Sequence, residues 1–492
     1  MTAARSLTMA AKDASSSNLF QPLQLGSIGQ LEHRIVLAPL TRNRATEPDL
    51  VPSDLTVQYY CQRASRGGLL ITEATNISPE SLAYCGTPGI WSSKQVEGWR
   101  RVTEAVHAKG GYMVCQLWHT GRVAHPSFAS HPAAQDYETV THTKRIPCVS
   151  SSATPIVNRR GEPGKTMTYE GIQPYGTPRP LSLQEDIPRV CQDYARAAQN
   201  ALDAGFDGIE IHAAHGYLID QFLNDGVNCR RDEYGGNAEN RCRFLKQVLE
   251  SVITNDESGQ GIWPCHKVGV RLSPHDSPHG GYTYYGTKDS NPDSVYGHAV
   301  QYLQEQFQGQ LAYVFLTEPR WVGKHDASPE TDPGFQMPLL NLSKYRSVYK
   351  GTLMGAGGFT PSTCFGASST GGYDMLAFGR WFISNPDLPL RLRLWYDQLI
   401  STTTTSNNTG SSPVSFPTTI SLNRYERDTF YTPGAEGYID YPSMAFEQYH
   451  ENHPQTSDAD KTNEDLDFEG MVSGKYEKVP PQNIGASLKS KL

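Results

Sequence analysis

No run of this chain approaches 18 uninterrupted apolar residues, which excludes a membrane protein built on helical spans. No two of its nine cysteines stand as C-x-x-C; they are scattered singly from Cys61 to Cys364. That excludes a zinc ribbon or an iron–sulfur cluster and reads as reduced thiols in a reducing compartment. Basic charge is in deficit, with 43 Lys and Arg against 51 Asp and Glu, a net −8. Nucleic acid and anionic membrane are therefore not expected as main partners. The N-terminus, MTAARSLTMAAKDASSSN, lacks the apolar core of a secretory signal. Residues 1–18 are accordingly read as a disordered segment rather than a presequence, and Asn407-Asn408-Thr409 is not expected to carry a glycan.

What is present is a globular composition, with 37% hydrophobic and 19% charged residues over 492 positions. That length holds two or three ordinary domains or one large barrel. Short β-rich runs alternate with amphipathic stretches. The runs are Arg34–Leu40, Leu69–Ala74, Tyr112–Trp118, Gly208–Ala213, Lys267–Ser273, Ala312–Glu318, Thr352–Gly358 and Asp374–Arg380. Each is apolar nearly throughout, as strands buried on both faces should be. Between them, Val96, Trp99, Val102 and Val106 form one helical stripe, and Ile187, Val190, Tyr194, Ala197 and Ala201 another that ends at Gly205. Eight such alternations predict a single (β/α)8 TIM barrel over residues 19–445. A doubly wound sheet is weaker, because no G-x-G-x-x-G follows the first run.

Three stretches stand outside the alternation. His119–Pro180, rich in Pro, Gly, Ser and Thr, separates the third strand from its helix and is expected to cover the site. Residues 401–421 are low-complexity and read as a mobile surface insertion. Residues 446–492 form a polar tail that offers too little apolar surface to offset ordering entropy. It ends in Ser490-Lys491-Leu492, the tripeptide of the peroxisomal import signal. The expected location is the peroxisomal matrix, with the import receptor as partner and the cytoplasm as the alternative.

Active sites of such barrels lie at the C-terminal ends of the strands. Thr41 stands there after the first, Glu73 and Ala74 after the second, Gln116 and His119 at the third, and His212 and His215 at the fourth. Arg271 ends the fifth, Arg320 follows the sixth, and Gly357-Gly358 and Gly379-Arg380 end the last two. Gly-rich turns after the last two strands suit a phosphate, with Arg380 adding charge-assisted bonds; tight turns alone would also account for them. His212 and His215, three apart, share a face if the strand runs into helix there. They could bind metal, grip a carbonyl or phenolate oxygen, or simply satisfy loop backbone. Metal needs more ligands, and Glu210 is expected on the opposite side from a neighbouring inward residue. Tyr217 stays protonated at neutral pH and suits a general acid.

Several motifs carry a family resemblance. APLTR at 38–42, QLWHTGR at 116–122 and EIHAAHGYLIDQFL at 210–223 resemble the old yellow enzyme family, as do RDEYGGNAENR at 231–241, GRWFISNPDL at 379–388 and RDTFY at 427–431. The His–His form of the central motif is most similar to the 12-oxophytodienoate reductase branch. The resemblance implies an FMN-dependent NADPH dehydrogenase and ene-reductase. FMN would place its phosphate on Gly357, Gly358, Gly379 and Arg380, and its ring against Pro39, Leu40, Thr41, Ala74 and Gln116, with Arg271 near N1 and O2. An α,β-unsaturated carbonyl compound would be held by His212 and His215. Its β-carbon would receive hydride from flavin N5 and its α-carbon a proton from Tyr217. Tyr84, Trp118, Phe430 and Tyr431 match pocket positions, and Arg320 would meet an acidic substrate tail. The RRDEYGGNAENR segment reads as scaffold, with charges that pair locally. Alternatives are a specialised reductase or isomerase of the same fold and a catalytically silent flavin-binding protein.

Overall fold

Eight strands close into a parallel barrel in the computed structural model. They are β1 (Ile35–Leu37), β2 (Leu69–Ile71), β3 (Tyr112–Trp118), β4 (Gly208–His212), β5 (Val268–Leu272), β6 (Tyr313–Thr317), β7 (Leu353–Ala356) and β8 (Met375–Phe378). Each pairs in parallel with its neighbours in sequence, and β8 closes the ring on β1 with Leu376 opposite Ile35. All eight lie inside the runs that the sequence marks. The structure describes residues 15–134, 148–158, 161–253, 261–274, 284–287, 289–318, 321–322, 325–326, 342–360, 363–369, 372–409 and 420–444, with backbone only at 284, 321–322, 325–326 and 402–409.

Alternation along each strand separates two cores. Inside the barrel lie Val36, Leu69, Ile71, Val114, Tyr313, Phe315, Met354 and Met375, joined by Leu25, Ile28 and Leu31. Those three belong to an antiparallel hairpin, Leu23–Leu25 with Gly29–Leu31, that precedes β1 and closes the N-terminal end of the barrel. Ile35, Leu37, Leu70, Leu117, Ile209 and Ile211 face outward onto the helices.

Helices follow the strands for reasons written locally. α1 (Asp54–Arg63) and α2 (Ser93–His107) both begin at serine caps, with Ser92 and Gln95 forming a reciprocal capping box. The stripe Val96, Trp99, Val102 and Val106 is buried, each aliphatic contributing about 1.5–3 kcal/mol. α3 (Asp186–Asp203) buries Ile187, Val190, Tyr194, Ala197 and Ala201 as its period predicts. α4 (Ala238–Val252) starts at Asn237, whose side chain accepts from the Asn240 amide. Arg230 pairs with Asp232 just upstream, one of the local charge pairs expected in that motif. α5 (Pro292–Phe307), α6 (Leu342–Val348), α7 (Cys364–Ala367) and α8 (Leu388–Thr409) complete the ring.

The segment between β3 and α3 is tied down at both ends. Val149–Ser150 pairs with Arg179–Pro180, and a hairpin joins Lys165–Thr168 to Gly171–Pro174. Gln221 pins this cover to the helix Leu218–Leu223. Its Oε1 accepts from the Arg122 amide and from Ser150 Oγ, while its Nε2 donates to the carbonyls of Thr120 and Gly216. The insertion expected over 401–421 starts differently: α8 runs through its first residues to Thr409, because the helix is already propagating and each further residue adds a bond. Its residues 410–419, most of segment 1–18 and all of the tail 446–492 with Ser490-Lys491-Leu492 lie outside the described residues. No described helix is long and apolar enough to cross a membrane.

Candidate active site at the C-terminal mouth of the barrel

The fourth strand delivers the central residues. β4 ends at His212, and the chain turns through Ala213–Gly216 with His215 at φ +59° and Gly216 at φ +77°. The two imidazoles therefore do not meet by helical spacing, as expected from sequence. A left-handed turn brings them together, ring centroids 5.3 Å apart and nearly perpendicular. The turn is held from below. Asp220 accepts from the Gly216 amide at 2.8 Å, and the His215 amide donates to Ser273 Oγ at 2.8 Å. Asp220 in turn accepts from Tyr296 and Asn224, and burial still pushes its carboxyl up to about 6.

His212 is buried, and desolvation, then the nearby Arg271 cation, hold its pKa well below the ordinary range. It is neutral at pH 7. Its Nδ1 accepts from the Ala214 amide, so the proton sits on Nε2, the free donor. Tyr217 caps the N-terminus of Leu218–Leu223, with its ring 5.1 Å from His212 and edge-on to Trp118 at 4.8 Å. Burial is the first reason its phenol is pushed up to about 12. Tyr84 stacks on Trp118 at 5.9 Å. His212, His215, Tyr217, Trp118 and Tyr84 thus form one wall.

The interior below holds a polar group that sequence reasoning misplaced. Glu210 lies two residues before His212 on the same strand and so shares its inward face. It is buried, accepting from Gln116 Nε2 at 2.6 Å and from the Tyr313 hydroxyl at 2.9 Å. Desolvation raises its pKa, with Arg271 opposing. Arg271 donates from Nε to Thr317 Oγ1 and lies over the Phe315 ring at 4.4 Å. No set of three His, Cys, Asp or Glu side chains suited to a metal occurs among the described residues.

Opposite this wall, glycines follow β7 and β8 directly. Gly357 has φ +114° and Gly358 φ +90°, and a Cβ on Gly357 would stand 2.2 Å from the Glu318 carbonyl oxygen. The amides of Gly357, Gly358 and Gly379 make no backbone hydrogen bond among the described residues. Gly379 approaches Leu40, where a Cβ would meet the side chain at 3.1 Å. This bare backbone, with Arg380 beside it, is a cradle of donors with the chemistry an anion such as a phosphate needs. Pro39 and Ala74 are buried in the segments that follow the first two strands, whereas Leu40 and Thr41 are partly exposed. β1 itself stops at Leu37, so Thr41 sits in the following loop rather than ending the strand.

Two other strand-end residues turn away. His119 bonds Glu80 and receives the Gly121 amide, and Glu73 accepts the Arg42 amide. The C-terminal segment also reaches the mouth. Arg42 and Arg44 both grip the Phe430 carbonyl, so Phe430 is buried as packing. Tyr431 is 57% exposed, with its ring edge-on to that of Phe430 at 6.4 Å. Arg320 lies outside the described residues. Tyr285 was missed altogether: its hydroxyl bonds that of Tyr84, and its ring lies 5.6 Å from Tyr217. The aromatic run Tyr282-Thr283-Tyr284-Tyr285 in a Gly- and His-rich loop after β5 was the available signal.

Comparison with known proteins places this site in a lineage. The model of the NADH:flavin oxidoreductase / NADH oxidase family matches residues 18–395. A putative 12-oxophytodienoate reductase 11 of Oryza sativa subsp. japonica is 40% identical over 88% of this chain and 99% of its own length. Among solved structures, morphinone reductase is 36% identical with a TM-score of 0.66, covering 90% of this chain and 99% of its own. An old yellow enzyme homologue from Zymomonas mobilis is 37% identical with a TM-score of 0.65, covering 86% and 99%. The chain belongs to the old yellow enzyme family of FMN-binding NADH:flavin oxidoreductases, close to its 12-oxophytodienoate reductase branch.

Proposed function

We propose that this chain reduces the C=C bond of α,β-unsaturated carbonyl compounds, using NAD(P)H as the reductant. The observation that carries the reading is a neutral His212 presenting Nε2–H beside the protonated phenol of Tyr217. When bound, FMN supplies the hydride chemistry, accepting from the nicotinamide and giving to an electron-poor carbon. Gly357, Gly358, Gly379 and Arg380 would hold its phosphate. Pro39, Leu40, Thr41, Ala74 and Gln116 would line its ring, and Arg271 would set a fixed cation at the pyrimidine edge.

His212 Nε2 donates to the carbonyl oxygen of the enone, with His215 as second donor. That pull draws electron density from the β-carbon and prepares it for hydride, as an oxyanion hole stabilises developing charge. Tyr217 gives its phenolic proton to the α-carbon. A donor that stays protonated at pH 7 is ready for each turnover. Tyr84, Trp118 and Tyr431 shape the space around the alkene, and Arg320 would face an acidic substituent. Ser490-Lys491-Leu492 would address the protein to the peroxisome, checked by imaging a fluorescent fusion with and without those residues.

The test is a visible spectrum taken anaerobically. A yellow protein that NADPH bleaches and cyclohexenone restores supports the reading; a chain that stays colourless with added FMN removes it. Tyr217→Phe should bleach normally yet recover roughly 10²–10⁴-fold more slowly. His212→Ala should weaken binding of phenolic ligands, which mimic the bound enolate.

A further inference from the structure

Three tyrosines from three separate strand ends converge at one side of the mouth. Tyr84 follows β2, Tyr217 follows β4 and Tyr285 follows β5. The Tyr84 hydroxyl lies 3.4 Å from that of Tyr217 and is hydrogen bonded to that of Tyr285. The oxygens run Tyr217, Tyr84, Tyr285, and the Tyr285 hydroxyl also acts on that of Tyr217 directly. Around it the wall is apolar, made by Ala83, Val123 and Ile156 with the rings of Tyr175 and Trp118. At its outer end Tyr285 is half-buried beside the exposed Gly286.

This outer tyrosine is placed with care. Its backbone is left-handed, φ +52°, a conformation that a bulky residue adopts only when the surroundings hold it. Arg122 supplies that hold, donating from Nη2 to the Tyr285 carbonyl at 2.8 Å and from Nη1 to the Thr154 carbonyl at 2.9 Å. Arg122 is itself buried, so a guanidinium has been taken out of water to fix this loop against the cover.

The geometry has a chemical consequence. A Tyr217 that has given up its proton is a phenolate in an aromatic and aliphatic pocket, where a localised charge is costly. We propose that Tyr84 and Tyr285 form a proton relay that reloads Tyr217 as it acts, which rests on the reading of Tyr217 as proton donor. The bookkeeping closes. The Tyr217 O–H bond breaks as its proton goes to the α-carbon. Tyr84 donates its proton to the Tyr217 oxygen, Tyr285 donates to Tyr84, and water replaces the proton on Tyr285. One proton passes from solvent to carbon, and the negative charge moves outward. Burial pushes all three phenols up, so each keeps its proton to pass on at neutral pH. The titratable groups facing Tyr217 are Tyr84, Tyr285, Tyr175, Tyr431 and the neutral His212.

Tyr285→Phe and Tyr84→Phe keep the rings and remove only the hydroxyls, and retained flavin colour reports folding. The holoenzyme is reduced chemically with dithionite, bypassing the nicotinamide, and reoxidised with cyclohexenone in mixtures of light and heavy water. The relay predicts a curved proton inventory in the wild type. It also predicts roughly tenfold slower reoxidation with a linear inventory in Tyr285→Phe and Tyr84→Phe. A second readout needs no turnover: isotope-labelled tyrosine NMR, with the Tyr217 signal assigned from its loss in Tyr217→Phe. That signal should titrate at higher pH in both relay variants, most in Tyr84→Phe, which removes the hydroxyl 3.4 Å from Tyr217, and less in Tyr285→Phe, which removes the donor that supports Tyr84. If Tyr217→Phe slows reoxidation while Tyr285→Phe stays within about twofold of wild type and leaves the Tyr217 titration in place, the relay is wrong and the donor assignment stands. If Tyr217→Phe itself reoxidises normally, the donor reading and the relay fall together.

Discussion

Gln116 donates its side-chain amide to Glu210 across 2.6 Å inside the barrel. The bond settles which way the amide points. Its nitrogen faces the carboxylate, and the oxygen is left for whatever lies above. Tyr313 donates to the other carboxylate oxygen, so Glu210 is held from two sides.

Replacing Glu210 with leucine should release Gln116 and leave two buried donors without an acceptor. The expected loss is about 1–3 kcal/mol of stability, read by chemical denaturation. FMN affinity should fall roughly tenfold in a fluorescence titration, corresponding to about 1.4 kcal/mol. Glu210→Gln, which keeps one acceptor oxygen, should recover part of both.

Asp220→Ala removes the acceptor that holds the Gly216 amide and takes from the buried Tyr296 hydroxyl the carboxylate that accepts its proton. About 1–3 kcal/mol of stability should go with it. The turn carrying His215 and Tyr217 would loosen, so phenolic ligands should bind more weakly in a titration of the purified holoenzyme.

Gly357→Ala tests the cradle. The added carbon would sit 2.2 Å from the Glu318 carbonyl, at a φ of +114° that an L side chain rarely adopts. Backbone must shift where the amides are needed. The variant should purify with a flavin-to-protein absorbance ratio well below that of wild type, and excess FMN should restore colour only in part.

Glu73 gives a pH prediction. Burial is the first cause of its rise to about 7, opposed by the Arg42 amide and by the cations of Arg42 and Arg44. The folded chain keeps a proton there that the unfolded chain releases near its ordinary value of about 4.3. Stability attributable to this group therefore falls as pH climbs from that value to about 7, by roughly 3–4 kcal/mol across the window. Glu73→Gln lacks that slope. Its stability relative to wild type should improve between about pH 5 and pH 8 in denaturant titrations, and a difference that stays flat with pH contradicts the assignment.

The barrel could be read from the sequence because strands buried on both faces leave long apolar runs, and all eight strands fall inside those runs. Strand ends were less legible. The first run includes Pro39, which has no N–H for a ladder, and β1 stops before it. The inward direction of Glu210 follows from parity with His212, but a carboxylate inside an apolar barrel contradicts the usual pattern until Gln116 and Tyr313 are seen to bond it. Tyr285 could not be found by spacing along the chain, since its partners Tyr84 and Tyr217 lie 201 and 68 residues away in sequence and meet it only through loop geometry.

The grip of the first loop on the last segment has its own consequence, in the order of assembly. Arg42 and Arg44 sit near the beginning of the chain, yet the carbonyls they bond belong to residues 429–437, about 390 positions later. Until that late segment leaves the ribosome, both guanidinium groups lack the acceptors that permit their burial. The wall of the mouth nearest Thr41 is therefore the last to set. A nascent chain that already has eight paired strands would still be open on this side of the barrel mouth until residues 429–437 emerge.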